Sequence, residues 1–185
     1  MHTLTIVSGG LILLGICLIA GRVVWFYLAT LLWPSNLIFI YPRWTISQAI
    51  WWQYLFPFGL VALAGALVWW SRAHSRAPLA ALLFFGGTLF PALGFVNVYP
   101  FQFSFVADHF QYLASIGVIA LVSAGAVALA DRLQLSASPR AAACAAVAVL
   151  LGVLTWNQAH VYADAPTLYR ETIARNPSCW MAHNN

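Results

Sequence analysis

Five stretches of this chain, each of roughly 20 residues, are almost free of charged side chains. They span residues 4–28, 52–70, 79–96, 111–130 and 141–159. A helix of roughly 20 apolar residues crosses the hydrocarbon core of a bilayer, which is about 30 Å thick. Because lipid offers no partner to backbone amides, such segments must be helical. We therefore predict an all-α fold, a polytopic membrane helix bundle of about five transmembrane helices within residues 1–160.

The composition excludes a soluble globular domain. Hydrophobic residues make up 63% of the chain and charged residues 6%, against about 25% charged residues in soluble domains. The basic residues are all arginine, and the net charge of +4 is too small for a nucleic-acid-binding protein. The cysteines lack the spacing of a metal site, and no nucleotide-binding motif occurs. The sequence therefore predicts no metal, no cofactor and no complete catalytic set.

The arginines indicate how the chain is oriented in the membrane. The linkers at residues 71–78 and 131–139 carry Arg72, Arg76 and Arg132, and Arg140 directly follows the second linker. The positive-inside rule places these linkers in the cytoplasm. The loops at 33–51 and 97–110 and the C-terminal tail then lie on the opposite side, which is the periplasm if the membrane is a bacterial inner membrane.

Several residues predict breaks within the windows. Pro57 and Pro91 are expected to kink their helices, and Gly86, Gly87 and Gly94 are expected to permit close helix approach or a local break. The first window has an alternative path, in which a spanning helix ends near Ala20 and an interfacial helix follows over residues 22–33.

The tail, residues 161–185, is polar enough to leave the bilayer. Asp164 is expected to cap a helix that continues to Ala174, and Ser178 is expected to cap a second helix. Ala165, Tyr169 and Pro177 have the spacing of residues that close a tetratricopeptide repeat. We interpret this region as the start of a truncated repeat array that binds a protein partner.

Two clusters on the tail side of the membrane are candidates for binding. In the first, Tyr41-Pro42-Arg43-Trp44, a guanidinium among aromatic rings suits a lipid phosphate. The alternative is an interfacial anchor. In the second, Asp108-His109, the side chains suit a sugar hydroxyl, a metal or a proton transfer. The alternative is Asp108 as an N-cap.

Arg22 is the one charge inside an apolar window. An ionisable residue at membrane depth indicates function by default. The alternative is a long side chain that reaches the interface with its charged end.

Several motifs together resemble a known family. They are Ala20-Gly21-Arg22, Trp25-Phe26-Tyr27, Leu32-Trp33-Pro34, Tyr41-Pro42-Arg43-Trp44, Phe90-Pro91, and the long stretch from Asn97-Val98-Tyr99-Pro100-Phe101 to Ala107-Asp108-His109-Phe110-Gln111-Tyr112-Leu113. The chain resembles the C-terminal membrane part of bacterial transmembrane and tetratricopeptide-repeat proteins, relatives of the GT-C-class protein O-mannosyltransferases.

The resemblance implies transfer of a sugar from a polyprenyl-phosphate donor to a protein acceptor outside the cytoplasm. The acidic catalytic residue of that family lies in an early extracytoplasmic loop, and no residue of this chain matches it. We therefore expect a fragment that is inactive alone, with no catalytic residue of its own. The candidate substrate-binding or lipid-phosphate-binding residues are Arg22, Tyr41, Arg43, Trp44, Asp108, His109 and Tyr112.

Two further functions remain open. One is a non-enzymatic membrane anchor that displays a repeat scaffold for protein partners. The other is a transporter of lipid-linked sugars, which requires polar side chains that face one another near the bilayer midplane. Arg22 is the one residue of the sequence that fits this requirement.

Overall fold

The computed structural model describes residues 2–34, 36–95 and 99–184. Within these ranges the chain is all-α and has no β-strand, which confirms the predicted class. The α-helices in chain order are α1 His2–Leu32, α2 Leu55–Ala73, α3 Ala77–Leu89, α4 Tyr112–Arg132, α5 Ala137–Val161, α6 Ala165–Arg175 and α7 Trp180–Asn184. Short 3-10 turns lie at Trp51–Tyr54, Phe90–Ala92, Tyr99–Gln102 and Asp108–Gln111.

Four segments of the described chain are long and apolar enough to cross a bilayer, at Gly10–Leu32, Trp51–Ala73, Asp108–Arg132 and Ala137–Val161. The chain is thus an integral membrane protein. The prediction of about five spanning helices is wrong in its third window, where the apolar helix covers only Ala77–Ala92. Pro91 lacks the amide proton that would continue this helix, and Gly94 then turns the backbone into the left-handed region at φ 90°. The last residue of that window, Val96, lies outside the described residues.

α1 is one continuous helix of 31 residues. At 1.5 Å per residue it is about 46 Å long, which exceeds the hydrocarbon thickness. The alternative of a spanning helix followed by a separate interfacial helix is therefore wrong. Gly21 of α1 contacts Pro57 in the first turn of α2, where an added Cβ would lie 2.6 Å from the Pro57 nitrogen. The last turns of α1 consequently extend beyond the level at which α2 begins.

Three sequence-based expectations about helix breaks and contacts fail. Pro57 is the third residue of α2, so it lies in the first turn, where its missing amide proton removes no helical hydrogen bond and produces no kink. A Cβ added at Gly86 or Gly87 would have no neighbour within 4 Å, so neither permits a close approach. The close approaches occur instead at Gly21 and at Gly117 of α4, where an added Cβ would lie 2.9 Å from a phenyl carbon of α3.

The two loops and the tail pack on one another and along α1, and we call the surface that they form the loop face. The first loop comprises residues 36–50 and the second loop comprises residues 99–111. Side chains from α1, α3 and the second loop form a buried core, with Val23, Val24, Tyr27, Phe85, Leu89 and Val106 almost inaccessible to solvent. α2 and α4 begin at the loops and end at the linkers that carry Arg72, Arg76, Arg132 and Arg140, which we call the linker face.

α5 stands apart from the core and is attached at the linker face. At the linker face, Arg140 forms an ion pair of 2.6 Å with Asp131 and donates a hydrogen bond of 2.8 Å to the carbonyl of Leu135. None of the residues of α5 is buried. Its apolar surface is therefore left to the lipid.

The tail forms a helix pair that packs on the first loop. Asp164 caps α6 by accepting a hydrogen bond of 2.7 Å from the amide of Thr167, as predicted. The predicted cap of the second helix is wrong, because Ser178 donates to the side chain of Asn176 and α7 begins at Trp180. Cys179 and Ala182 are buried against Ile40. That the pair begins a tetratricopeptide repeat stays a prediction.

Candidate functional site

Tyr27 attaches the second loop to α1. Its phenolic oxygen donates a hydrogen bond to the carbonyl of Ala107 and accepts one from the amide of the same residue, both at 3.0 Å. The side chain is fully buried, and a buried polar group without a partner costs about 1–3 kcal/mol. The two bonds therefore hold the following residues, Asp108 and His109, beside α1.

Asp108 accepts a hydrogen bond from Tyr41 of the first loop, with 2.8 Å between the phenolic oxygen and Oδ1. The interpretation of Asp108 as an N-cap is wrong, because Ala107 occupies the cap position and no side chain caps this turn. Burial raises the pKa of the Tyr41 phenol, and the bond to Asp108 raises it further. The phenol therefore stays protonated at physiological pH and joins the two loops as a donor.

Two further candidates, His109 of the second loop and Tyr112 of α4, take no part in this bond. His109 is exposed, and its ring centroid lies 4.5 Å from that of Phe110. Tyr112, the first residue of α4, is 69% exposed. Neither residue lines the cavity beside Arg22 or the cavity between the tail and the loops, which are both described below.

Arg22 lies against three aromatic rings. Its guanidinium carbon is 4.2 Å from the ring centroid of Trp44, 5.7 Å from that of Trp52 and 5.8 Å from that of Phe56. Each cation–π contact of this kind is favourable by about 0.5–1 kcal/mol, and by more when water is excluded. Because Phe56 belongs to the first turn of α2, Arg22 packs beside the start of that helix.

An open cavity of about 480 Å³ surrounds this guanidinium. We call it the Arg22 cavity, and it is lined by Arg22, Trp25, Phe26, Ala29, Trp44, Leu55 and Phe56. The indole nitrogen of Trp25 donates a hydrogen bond of 3.0 Å to the carbonyl of Phe56, which fixes one wall. The cavity thus presents one cation within a wall of aromatic and aliphatic groups.

Two aromatic rings, those of Trp44 and Phe105, lie between Arg22 and Arg43. Their ring centroids are 6.3 Å apart. Arg22 lies over Trp44, and the guanidinium carbon of Arg43 lies 5.0 Å from the centroid of Phe105. We call the two rings the aromatic strip, and it has a guanidinium at each end.

The carboxylates of the loop face are already engaged. Asp108 accepts from Tyr41, Asp164 caps α6, and Glu171 pairs at 3.6 Å with an arginine one turn further along α6. In the part of the chain that the structure describes, neither Arg22 nor Arg43 forms an ion pair. Both guanidinium groups are therefore available to an anionic ligand.

Comparisons with models of protein families, with curated proteins and with solved structures found no match. Across residues 2–34, 36–95 and 99–184, no group of three or more His, Cys, Asp or Glu side chains is placed to hold a metal ion. The Arg22 cavity and the aromatic strip therefore provide the geometry from which a function can be proposed.

Sequence reasoning found the charged residues of the site and missed part of its wall. It named Arg22 and Trp44 separately, and the structure brings them together. It did not name Trp25 or Phe26 as site residues. Together with Ala29 they follow Arg22 at i+3, i+4 and i+7, the spacing of a single helix face. That periodicity would have identified them.

Proposed function

We propose that this chain is part of a GT-C-like membrane glycosyltransferase and that its Arg22 cavity binds the phosphate of a polyprenyl-phosphate sugar. The observation that supports this proposal is the Arg22 guanidinium, which has no carboxylate partner among the described residues and lies in an aromatic cavity beside the first turn of α2. A polyprenyl phosphate carries an anion at the end of an apolar chain, and so matches both properties. The sequence resemblance favours the same donor.

The chemistry of the guanidinium suits this ligand. Its planar N–H groups bind phosphate oxygens in pairs, and such charge-assisted bonds contribute about 1.5–3 kcal/mol each. The guanidinium carbon lies 4.2 Å from the ring centroid of Trp44, and no carboxylate among the described residues occupies its N–H groups. Trp25 and Phe26 offer rings against which the first isoprene units pack.

The role that we assign to this chain is binding. In the family that it resembles, the acidic group that acts in catalysis belongs to an early extracytoplasmic loop. Asp108 is not a substitute for it in our proposal, because its Oδ1 accepts the phenolic proton of Tyr41. The loop face holds the donor, and an acidic side chain from elsewhere activates the acceptor hydroxyl.

The membrane and the orientation belong to the same proposal. The linker face carries Arg72, Arg76, Arg132 and Arg140, against Arg43, Arg170 and Arg175 on the loop face. The positive-inside rule then places the loop face in the periplasm of a bacterial inner membrane. Protein acceptors reach the donor from that side.

The second candidate function is an anchor for a helical-repeat scaffold. The observation that favours it is the rigid attachment of α6 and α7, since Asn176 is buried and donates to the first loop. Such an attachment would hold a repeat array at a fixed angle to the membrane, where it displays a concave surface to protein partners. This function requires no ligand in the Arg22 cavity.

Lipid binding by the purified protein separates the two functions. Native mass spectrometry in detergent would measure the affinity for undecaprenyl phosphate and, separately, for phosphatidylglycerol. We expect undecaprenyl phosphate to bind more tightly and Arg22→Ala to weaken it by about tenfold or more. Arg72→Ala, an exposed arginine of the linker face, is the matched control and should bind as the wild type. Equal binding in Arg22→Ala, or equal affinity for both lipids, would contradict the donor site and favour the anchor.

A further inference from the structure

A second cavity lies where the tail meets both loops. It measures about 160 Å³, and its lining includes Ile40, Arg43, Gln102, Asn176, Ser178 and Trp180. A single water needs only about 10–15 Å³ of such space, whereas typical small-molecule pockets begin at about 300 Å³. We call it the junction cavity, and its size fits one small ring.

Part of the junction cavity is held rigid by hydrogen bonds. Asn176 is buried and donates from Nδ2 to the carbonyl of Ile40 at 3.1 Å. Ser178 donates to Oδ1 of Asn176 at 3.0 Å. These bonds satisfy the amide of Asn176 and connect the tail to the first loop. The wall formed by the tail is therefore built before any ligand enters.

Other lining groups are available to a ligand. Arg43 and Gln102 are exposed, one from each loop, and both carry planar N–H donors. Trp180 is 60% exposed, and its ring centroid lies 5.4 Å from that of Phe103, which holds the indole at the mouth. The cavity thus combines an exposed aromatic plane with donors that match hydroxyl oxygens.

We propose that the junction cavity binds a single hexose ring, which stacks on Trp180 and accepts hydrogen bonds from Arg43 and Gln102. A hexose ring has apolar C–H faces and hydroxyl groups around its edge. The faces pack on an aromatic plane, and the hydroxyl groups bond to planar polar side chains. The proposal deepens the proposed function and rests on it, because it assigns the sugar of that reaction to a place on the loop face. The hexose belongs either to the lipid-linked donor or to a glycan already on the acceptor.

The aromatic strip relates the junction cavity to the Arg22 cavity. Arg22 lies at one end of the strip, and Arg43, which lines the junction cavity, lies at the other. A lipid phosphate and a hexose therefore occupy two separate cavities of one surface. Each cavity has its own arginine, so the two ligands can be tested independently.

The first experiment uses free sugars on the intact chain in detergent that carries no sugar head group. Saturation-transfer NMR would measure binding of the methyl glycosides of mannose, glucose and galactose. We expect at least one of them to bind, and Trp180→Leu to weaken it by about tenfold. Trp33→Leu is the matched control, since Trp33 is also exposed on the loop face and does not line the cavity. Gln102→Ala, which removes one hydrogen bond, should weaken binding by about three- to tenfold.

The possible outcomes distinguish a failure of the hexose site from a failure of the proposed phosphate site. Absence of binding by all three glycosides, or equal weakening by Trp180→Leu and Trp33→Leu, would overturn the hexose site. Undecaprenyl phosphate carries no sugar, so its affinity for Arg22→Ala tests the phosphate site alone. If Trp180→Leu abolishes the preference for a sugar-bearing polyprenyl phosphate over the bare phosphate, the hexose comes from the donor. If that preference persists while the free glycoside is lost, the hexose comes from the acceptor glycan.

Discussion

The phenolic hydroxyl of Tyr41 donates a hydrogen bond of 2.8 Å to Oδ1 of Asp108, across 67 positions of the sequence. One residue belongs to the first loop and the other to the second. Together with the two bonds between Tyr27 and Ala107, this contact makes the loops one surface beside α1. Arg22 and Arg43 keep their positions along the aromatic strip only if that surface is rigid.

Tyr41→Phe should destabilise the loop face. The substitution removes a hydrogen bond to a charged group and leaves the half-buried Asp108 carboxylate without that donor, a cost of about 1–3 kcal/mol. For a chain of this length, each kcal/mol lowers the melting temperature by about 2–4 °C. Thermal unfolding in detergent, followed by size-exclusion chromatography, would measure it. Tyr112→Phe, at an exposed position, is the control and should melt as the wild type does. Equal melting of both variants would contradict the role of the bond.

The folded chain should lose stability in alkaline solution because of the Tyr41 phenol. Burial raises the pKa of Tyr41 in the folded state above its ordinary value of 10.0. Above about pH 10 the unfolded chain releases this proton and the folded chain does not, so unfolding becomes more favourable as pH rises. The chain has no lysine to obscure the effect. Melting temperatures between pH 8 and about pH 11.5 should fall more steeply in the wild type than in Tyr41→Phe. Parallel curves would show that Tyr41 does not contribute. Tyr162, whose pKa burial also raises, leaves some slope in both proteins.

Gly21→Ala should separate α1 from α2. The added methyl group would lie 2.6 Å from the backbone nitrogen of Pro57, which cannot move without moving the helix. Overpacking of this kind costs about 1–3 kcal/mol, and it would also displace the neighbouring Arg22. Gly65→Ala in α2 is the matched control, because an added Cβ has no neighbour within 4 Å there. Melting temperatures of the two variants test the contact, and a Gly21→Ala protein as stable as Gly65→Ala would refute it.

Local sequence patterns predicted the helices better than the site. Apolar length alone located α1, α2, α4 and α5, because the bilayer thickness sets that length. The predicted length of α3 was wrong because the apolar window continues past Pro91 although the helix does not. Local rules also failed where the partner of a residue lies far away in the sequence. Asp108 stands where a helix cap is expected, but it accepts a hydrogen bond from Tyr41. Contact between Arg22 and Trp44 depends on the path of the first loop, which no periodicity reveals.

The tail should detach when its buried amide is removed. Asn176→Ala leaves the Ile40 carbonyl without its donor, at a cost of about 1–3 kcal/mol. Limited trypsin digestion should then cleave faster after Arg170 and Arg175. Asn184→Ala, an exposed position near the end of α7, is the control and should be cleaved at the rate of the wild type. Unchanged cleavage of Asn176→Ala would mean that the tail is held by its apolar contacts alone.

The central claim is that a lipid phosphate binds at Arg22. Solid-state NMR would test this binding through the dipolar coupling between phosphorus and arginine. The guanidinium carbons of the eight arginines are labelled with carbon-13. The protein is placed in a phosphorus-free galactolipid bilayer, so undecaprenyl phosphate is the sole source of phosphorus. We predict a coupling that corresponds to about 5 Å or less, as expected for a guanidinium hydrogen-bonded to phosphate, and its loss in Arg22→Gln with retention in Arg72→Gln. A coupling that survives in Arg22→Gln, or none in the wild type, would contradict the account.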